Sequence, residues 1–265
     1  MLRLSNFICG VLLPILILAS CRDKERSNTH TPIDVQSSSP FEVRSTIFHS
    51  TDAFTQGLVF NRDKIIESTG GDSSWIAEYN VTTYDYSKKV VLNKIHFGEG
   101  ITVLNNKLFQ LTWKSNVGFI YDANTYHKIG EFKYNFEGWG ITHDNNHLII
   151  SDGTDKLHYF DTLLLKEVFT KAVKDKDSKA TNLNELEFIE GKIYANQWKS
   201  SLILKIDTGT FEVVKKYDFG SLVRDIERRN PDADVLNGIA YNSITKDVFI
   251  TGKLWPHMYV IRFLE

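Results

Sequence analysis

One pattern returns five times along this chain and limits its fold more than any other feature. Residues 54–70 (FTQGLVFNRDKIIESTG), 97–113 (FGEGITVLNNKLFQLTW), 137–153 (EGWGITHDNNHLIISDG), 183–198 (LNELEFIEGKIYANQW) and 236–256 (LNGIAYNSITKDVFITGKLWP) share one plan. Each has a small or polar triplet, a short apolar run, a polar turn and a second apolar strand, which reads as a hairpin. The central positions Gly57, Gly100, Gly140, Glu185 and Gly238 are spaced 43, 40, 45 and 53 residues apart. A four-stranded propeller blade takes about 40–50 residues. Second hairpins fall between the motifs, at 117–133, 156–169 and 202–219. After the fifth motif one strand remains, residues 258–264. Its missing partner is expected from the other end, residues 42–49, which would close the ring. The expectation is an all-β fold, a five-bladed β-propeller over residues 41–265, with the N-terminal strand completing the last blade. A β-sandwich needs no fixed period. Helix is expected only at residues 222–229.

The first 40 residues are a different material. Arg3 precedes an apolar run at 7–18 (FICGVLLPILIL), too short for a bilayer, which needs about 20 apolar residues, and of signal-peptide length. It ends in Leu18-Ala19-Ser20-Cys21, which resembles the lipobox of bacterial lipoproteins. A plain secretory leader with a chance Cys is the alternative. The expected division is a signal peptide at 1–20, then a lipidated Cys21 with a polar tether to residue 40. The protein is then held at a bacterial membrane by lipid alone, in the cell envelope, facing periplasm or cell surface. Only Cys9 and Cys21 occur. Removal of the leader leaves no Cys for a disulfide, a Cys-ligated zinc or a thiol nucleophile. The formal net charge of -2 argues against nucleic acid as a partner.

In a propeller the innermost strands start at one mouth, so equivalent positions form a ring. Here the ring holds Gln56, Glu99, Trp139, Asn184 or Glu185, and Asn237. The second strands end in Glu67, Trp113, Asp152, Trp198 and Lys253. Three Trp beside a carboxylate, an ammonium and several amides describe a small-molecule site. Glu99 stands between Gly98 and Gly100, glycines not needed merely to bury a carboxylate. A metal-dependent propeller hydrolase would need several ring carboxylates, and only Glu99 and Glu185 are candidates. His143 and His147 bracket a turn, not a helix face. A non-catalytic propeller binding peptide or glycan at the same mouth remains the alternative.

The motifs now carry a resemblance. Phe54-Thr55-Gln56-Gly57-Leu58, Glu67-Ser68-Thr69-Gly70, Phe97-Gly98-Glu99-Gly100-Ile101-Thr102, Leu111-Thr112-Trp113-Lys114, Gly138-Trp139-Gly140, Leu183-Asn184-Glu185-Leu186-Glu187, Ala195-Asn196-Gln197-Trp198, Leu236-Asn237-Gly238-Ile239-Ala240-Tyr241 and Thr251-Gly252-Lys253-Leu254-Trp255-Pro256 stand in the order seen in plant-type glutaminyl-peptide cyclotransferases. The chain resembles that family over residues 42–265. The resemblance implies conversion of N-terminal Gln of peptides or proteins to pyroglutamate with loss of ammonia, and Glu99 as the acid/base. It implies Gln56, Asn184 and Lys253 as polar catalytic partners, and Phe54, Phe97, Trp113, Trp139 and Trp198 as the substrate cup. Glu185 and Asn237 are expected to bind substrate beside them. Neither chemical step needs a Lewis acid, so no metal or cofactor is expected, and the protein is expected to act as a monomer. Two departures stand out. The family's His-Asp-Pro is here His49-Ser50-Thr51. Its Ser-Ser-Leu-Arg is here Ser73-Ser74-Trp75-Ile76, so an Arg that would contact the peptide is missing.

Overall fold

The computed structural model describes residues 40–264; the expected leader, the Cys21 lipidation site and all but the last residue of the tether lie outside the described residues. Five four-stranded antiparallel sheets follow one another. The first blade is Thr55–Asn61, Lys64–Thr69, Trp75–Tyr79 and Tyr86–Val91. The second is Gly98–Leu104, Lys107–Thr112, Val117–Asp122 and Lys128–Lys133. The third is Ile141–His143, His147–Ser151, Lys156–Asp161 and Glu167–Ala172. The fourth is Leu183–Ile189, Lys192–Gln197, Leu202–Asp207 and Val213–Asp218. The fifth is Leu236–Tyr241, Val248–Gly252 and His257–Phe263, with Phe41–Phe48 as its outer strand. Phe41 pairs with Phe263 and Phe48 with His257. The helix runs over Gly220–Arg229, burying Leu222 and Ile226.

The core lies between blades rather than within one. Val59, Ile66 and Ile76 of the first blade meet Ile101 and Leu108 of the second. Equivalent clusters fill the other four junctions. The inner strands are buried on both faces along most of their length, while the outer strands are mostly exposed. A buried pair helps seal the last junction. His49 donates Nδ1–H to the Trp255 carbonyl at 2.7 Å, and its Nε2 is 3.0 Å from the Glu67 carboxylate. Burial is the largest single influence and disfavours the imidazolium, but the Glu67 charge and the hydrogen bonds to Glu67 and the Trp255 carbonyl together outweigh it and raise the His49 pKa. Glu67 therefore belongs to the blade junction. Thr55 and Tyr86 also donate to it.

The glycine ring closes the propeller backbone to backbone. A Cβ on Gly140 would lie 2.1 Å from the Asn184 carbonyl oxygen, and one on Gly57 2.5 Å from the Ile101 nitrogen. The fourth blade has Glu185 where the others have glycine. Its side chain crosses the axis, accepting from the Ile239 amide at 2.9 Å and from the Leu58 amide at 3.3 Å. One long carboxylate thus fills the space that four missing side chains leave. Gly140→Ala is expected to force the third and fourth inner strands apart. Overpacking of this kind costs about 1–3 kcal/mol, and a lowered melting temperature with unchanged refolded sheet content in circular dichroism would record it.

Candidate functional site

Four of the five inner hairpins carry a β-bulge, and each bulge falls on a ring position. The register slips between Thr55 and Gly57, between Gly98 and Ile101, between Leu183 and Leu186, and between Leu236 and Ile239. The residues skipped include Gln56, Glu99, Asn184 and Asn237. A bulge inserts an unpaired residue and re-aims its side chain, which leaves Asn237 behind Gln56 and turns Gln56, Glu99 and Asn184 from the blade face toward the mouth. In the third blade the inner strand starts late, at Ile141, and Trp139 precedes it in irregular backbone.

These groups converge on a cavity of about 250 Å3, lined by Phe54, Gln56, Phe97, Glu99, Trp113, Trp139, Asn184, Trp198 and Lys253. That is smaller than the usual range for drug-sized ligands, about 300–1,000 Å3, and suits one amino-acid side chain with its α-amine. The walls are aromatic and mutually edge-on. Phe54 meets Phe97 at 6.2 Å and 86°, Phe97 meets Trp113 at 5.8 Å and 61°, and Trp139 meets Trp198 at 5.3 Å and 86°. Small residues form the seats. A Cβ on Gly70 would lie 2.2 Å from the Phe97 ring, and one on Gly153, at φ +79°, 2.6 Å from the Trp139 ring.

The polar groups are few and strained electrostatically. Glu99 is buried, and burial pushes its carboxyl well above the ordinary glutamate value; Lys253 opposes the shift and Glu137 adds to it. Burial pushes the Lys253 ammonium down, while Glu99 and Asp234 hold its charge. Lys253 Nζ also sits 4.6 Å from the Phe54 ring centroid. Asn184 Oδ1 is buried with no hydrogen-bond partner among the described residues. A buried acceptor left without a donor costs about 1–3 kcal/mol; a ligand N–H would relieve that cost.

Two expected substrate contacts lie elsewhere. Glu185 is spent on the ring closure and lies outside the cavity lining. Asn237 is one layer behind, donating Nδ2–H to the Thr55 carbonyl at 3.0 Å and to Gln56 Oε1 at 3.3 Å. It fixes Gln56 rather than reaching the cavity. Asp152 likewise turns away, to His158 Nε2 at 3.1 Å. The glycines around Glu99 answer to the close approach of strands, since a Cβ on Gly100 would lie 2.7 Å from the Ile141 nitrogen. Where the family's Arg is missing, Ile76 is buried, the preceding Trp75 is buried under Lys88, and Ser74 Oγ accepts from the Gly98 amide at 2.9 Å, next to Glu99. The sequence reading missed Glu137, which accepts hydrogen bonds from both Trp113 and Trp139. Its place at the head of the third motif was the available signal.

The glutamine cyclotransferase family model matches residues 12–263. The chain is 36% identical over 229 residues to a glutaminyl-peptide cyclotransferase of Arabidopsis thaliana, covering 84% of this chain and 71% of that protein. The crystal structure of Myxococcus xanthus glutaminyl cyclase superposes with a TM-score of 0.78 at 34% identity, over 84% of this chain and 95% of that one.

Proposed function

The chain belongs to the glutamine cyclotransferase family and cyclises N-terminal glutamine to pyroglutamate, and on that premise we propose how its residues divide the work, with Glu99 as the proton carrier. The observation that carries this reading is a buried carboxylate facing Lys253 inside an aromatic cup the size of one side chain.

The reaction is an intramolecular acyl transfer. The α-amine nitrogen forms a bond to the side-chain carbonyl carbon, a five-membered lactam closes, and the carbon–nitrogen bond to the side-chain amide breaks. Attacker and target share one residue, so much of the entropy of approach is already removed. The α-ammonium, with a pKa of about 7.7–8.0, first loses one proton to solvent, which leaves a neutral amine with two hydrogens. As that amine attacks, Glu99 takes one of the two and passes it to the leaving nitrogen, which departs as ammonia and leaves a neutral lactam N–H, so charge and protons balance. A carboxylate with a raised pKa suits both halves of this shuttle. Lys253 donates to the oxygen that gains negative charge as the tetrahedral intermediate forms. Gln56, with its Oε1 held by Asn237, offers its NH2 to the same oxygen. Asn184 Oδ1 takes an N–H of the attacking amine, which fills its unmet acceptor. The Trp and Phe walls exclude water and grip the aliphatic part of the side chain.

The cup is tested by direct measurement of ammonia released from a Gln-initiated dipeptide, with and without a chelator. Equal rates in both arms agree with a proton-shuttle mechanism; a rate abolished by chelation would overturn it. Leu18-Ala19-Ser20-Cys21 supports a lipid anchor at the cell envelope. Cys21→Ser is expected to move the protein from the membrane pellet to the soluble fraction with kcat unchanged, and retention in the pellet would refute the anchor.

A further inference from the structure

Glu137 stands outside the cavity and yet holds two of its walls. Its Oε2 accepts the indole N–H of Trp113 at 2.7 Å and that of Trp139 at 3.2 Å. Its Oε1 lies 3.6 Å from Lys114 Nζ, and that ammonium sits 3.9 Å from the centroid of the Trp113 ring. Trp113 follows the second strand of the second blade, and Trp139 precedes the inner strand of the third. One carboxylate oxygen therefore ties together two blades at the rim of the cup. An indole N–H can only donate, so an acceptor placed between two indoles dictates how both rings turn. The far face of Trp139 is fixed by its seat on Gly153 and its edge-on contact with Trp198. Turning either indole away from Glu137 Oε2 breaks its hydrogen bond.

We propose that Glu137 is a positioning residue for the cyclisation, clamping the Trp113 and Trp139 indoles at the angle that closes the cup around the glutamine side chain. An ordinary surface carboxylate paired with Lys114 would contribute little, because exposed ion pairs are weak and screened. Two indoles converging on one oxygen are what set this group apart. Its charge has a second consequence, which rests on the reading of Glu99 as the proton carrier. The titratable groups acting on Glu99 are Lys253, Glu137 and Tyr134. The Tyr134 phenol is pushed up to about 12, chiefly by burial, and stays neutral across the working range. Lys253 lowers the Glu99 pKa and Glu137 raises it. Removing the Glu137 charge lowers that pKa, so the carboxylate form persists to lower pH. The acid limb of kcat/KM then moves to lower pH.

Two variants separate clamp from charge. Because both indoles bond to the same oxygen, Glu137→Gln can keep both bonds through its amide oxygen while losing the charge. KM is expected to stay within about twofold, and the acid limb to shift to lower pH. Glu137→Ala loses the acceptor altogether. KM is expected to rise about tenfold with a smaller change in kcat, and tryptophan fluorescence to shift as two indoles are released. The binding arm is repeated in the Glu99→Gln background, where affinity for a Gln-initiated peptide is read by fluorescence without turnover. That arm does not depend on which group carries the proton. There, Glu137→Ala should weaken binding about tenfold and Glu137→Gln should not. If Glu137→Ala binds as tightly as its parent, the clamp is refuted whatever Glu99 does. If the clamp effect appears but the acid limb does not move in Glu137→Gln, the electrostatic part falls and the positioning role stands. Should Glu137→Ala fail to fold, equal loss of affinity in Glu137→Gln and Glu137→Leu would refute the clamp, and loss in Glu137→Leu alone would support it.

Discussion

Glu99→Gln is expected to lower kcat by roughly 10²–10⁴, the span of general acid–base catalysis. The change keeps the shape and volume of the side chain and removes only its capacity to take and return a proton. Folding should survive. A neutral amide is easier to bury than a carboxylate, and Asp234 remains as a countercharge for Lys253. KM should change less than kcat, because proton transfer acts in the transition state and the aromatic cup binds the ground state. The pH profile supplies a second reading. Burial raises the Glu99 pKa, and the base form is lost as pH falls through that raised value. The acid limb of kcat/KM in the parent should therefore lie above the ordinary glutamate range, and the part due to Glu99 should vanish in Glu99→Gln. The α-amine of the substrate contributes its own limb and is unaffected. Turnover close to the parent, with ammonia measured directly, would remove Glu99 from the mechanism. Glu185 could not then replace it, since its carboxylate is bound to the Leu58 and Ile239 amides outside the cavity.

That last point marks where sequence and structure part. The blade count and the ring of functional positions were legible because they depend on period, and period survives in sequence. The nine residues that line the cavity were all among those expected from the ring and the resemblance. Glu185 was misplaced because it occupies the glycine position of its motif, and motif alignment alone puts it beside the others. What decides its role is distance across the axis. Four glycines leave a gap wide enough for one long side chain, and that is a property of the closed ring. The same holds for the bulges. Thr55-Gln56-Gly57 looks like regular strand, yet its register slips by one residue and turns Gln56 to the mouth. Bulges depend on pairing partners far along the chain, so local pattern does not reveal them. Glu137 was overlooked for a related reason. Its importance lies in two indole N–H groups from different blades meeting at one oxygen, a three-body fact that no spacing encodes.

Lys253 should be the second most costly residue to lose. Its ammonium is buried among Phe54, Glu99 and the cup, where a hydrogen bond to developing charge is far stronger than in water. Lys253→Met keeps most of the aliphatic stem and deletes the charge. Loss of one donor to an oxyanion costs about 10²–10³ in kcat. The substitution also changes Glu99. Lys253 is the group that holds the Glu99 pKa down against burial and against Glu137. Without it the carboxyl rises further, so the base form is lost at a higher pH on acidification. The acid limb of kcat/KM should move to higher pH, opposite in direction to Glu137→Gln. The alkaline side should change too. In the parent, burial lowers the Lys253 pKa, so the ammonium is lost as pH rises through a value below that of an ordinary lysine, and activity falls with it. Lys253→Met has no such limb. The variant should therefore run slowly, be confined to higher pH, and show no alkaline decline of enzymic origin. Lys253→Arg tests the geometry, since a guanidinium keeps the charge but is too broad to sit as a point donor beside Phe54. It should restore the acid limb toward the parent position without restoring kcat. A Lys253→Met enzyme whose kcat falls less than about fivefold, with both limbs where the parent has them, would show that the ammonium neither meets the oxyanion nor sets the acidity of Glu99.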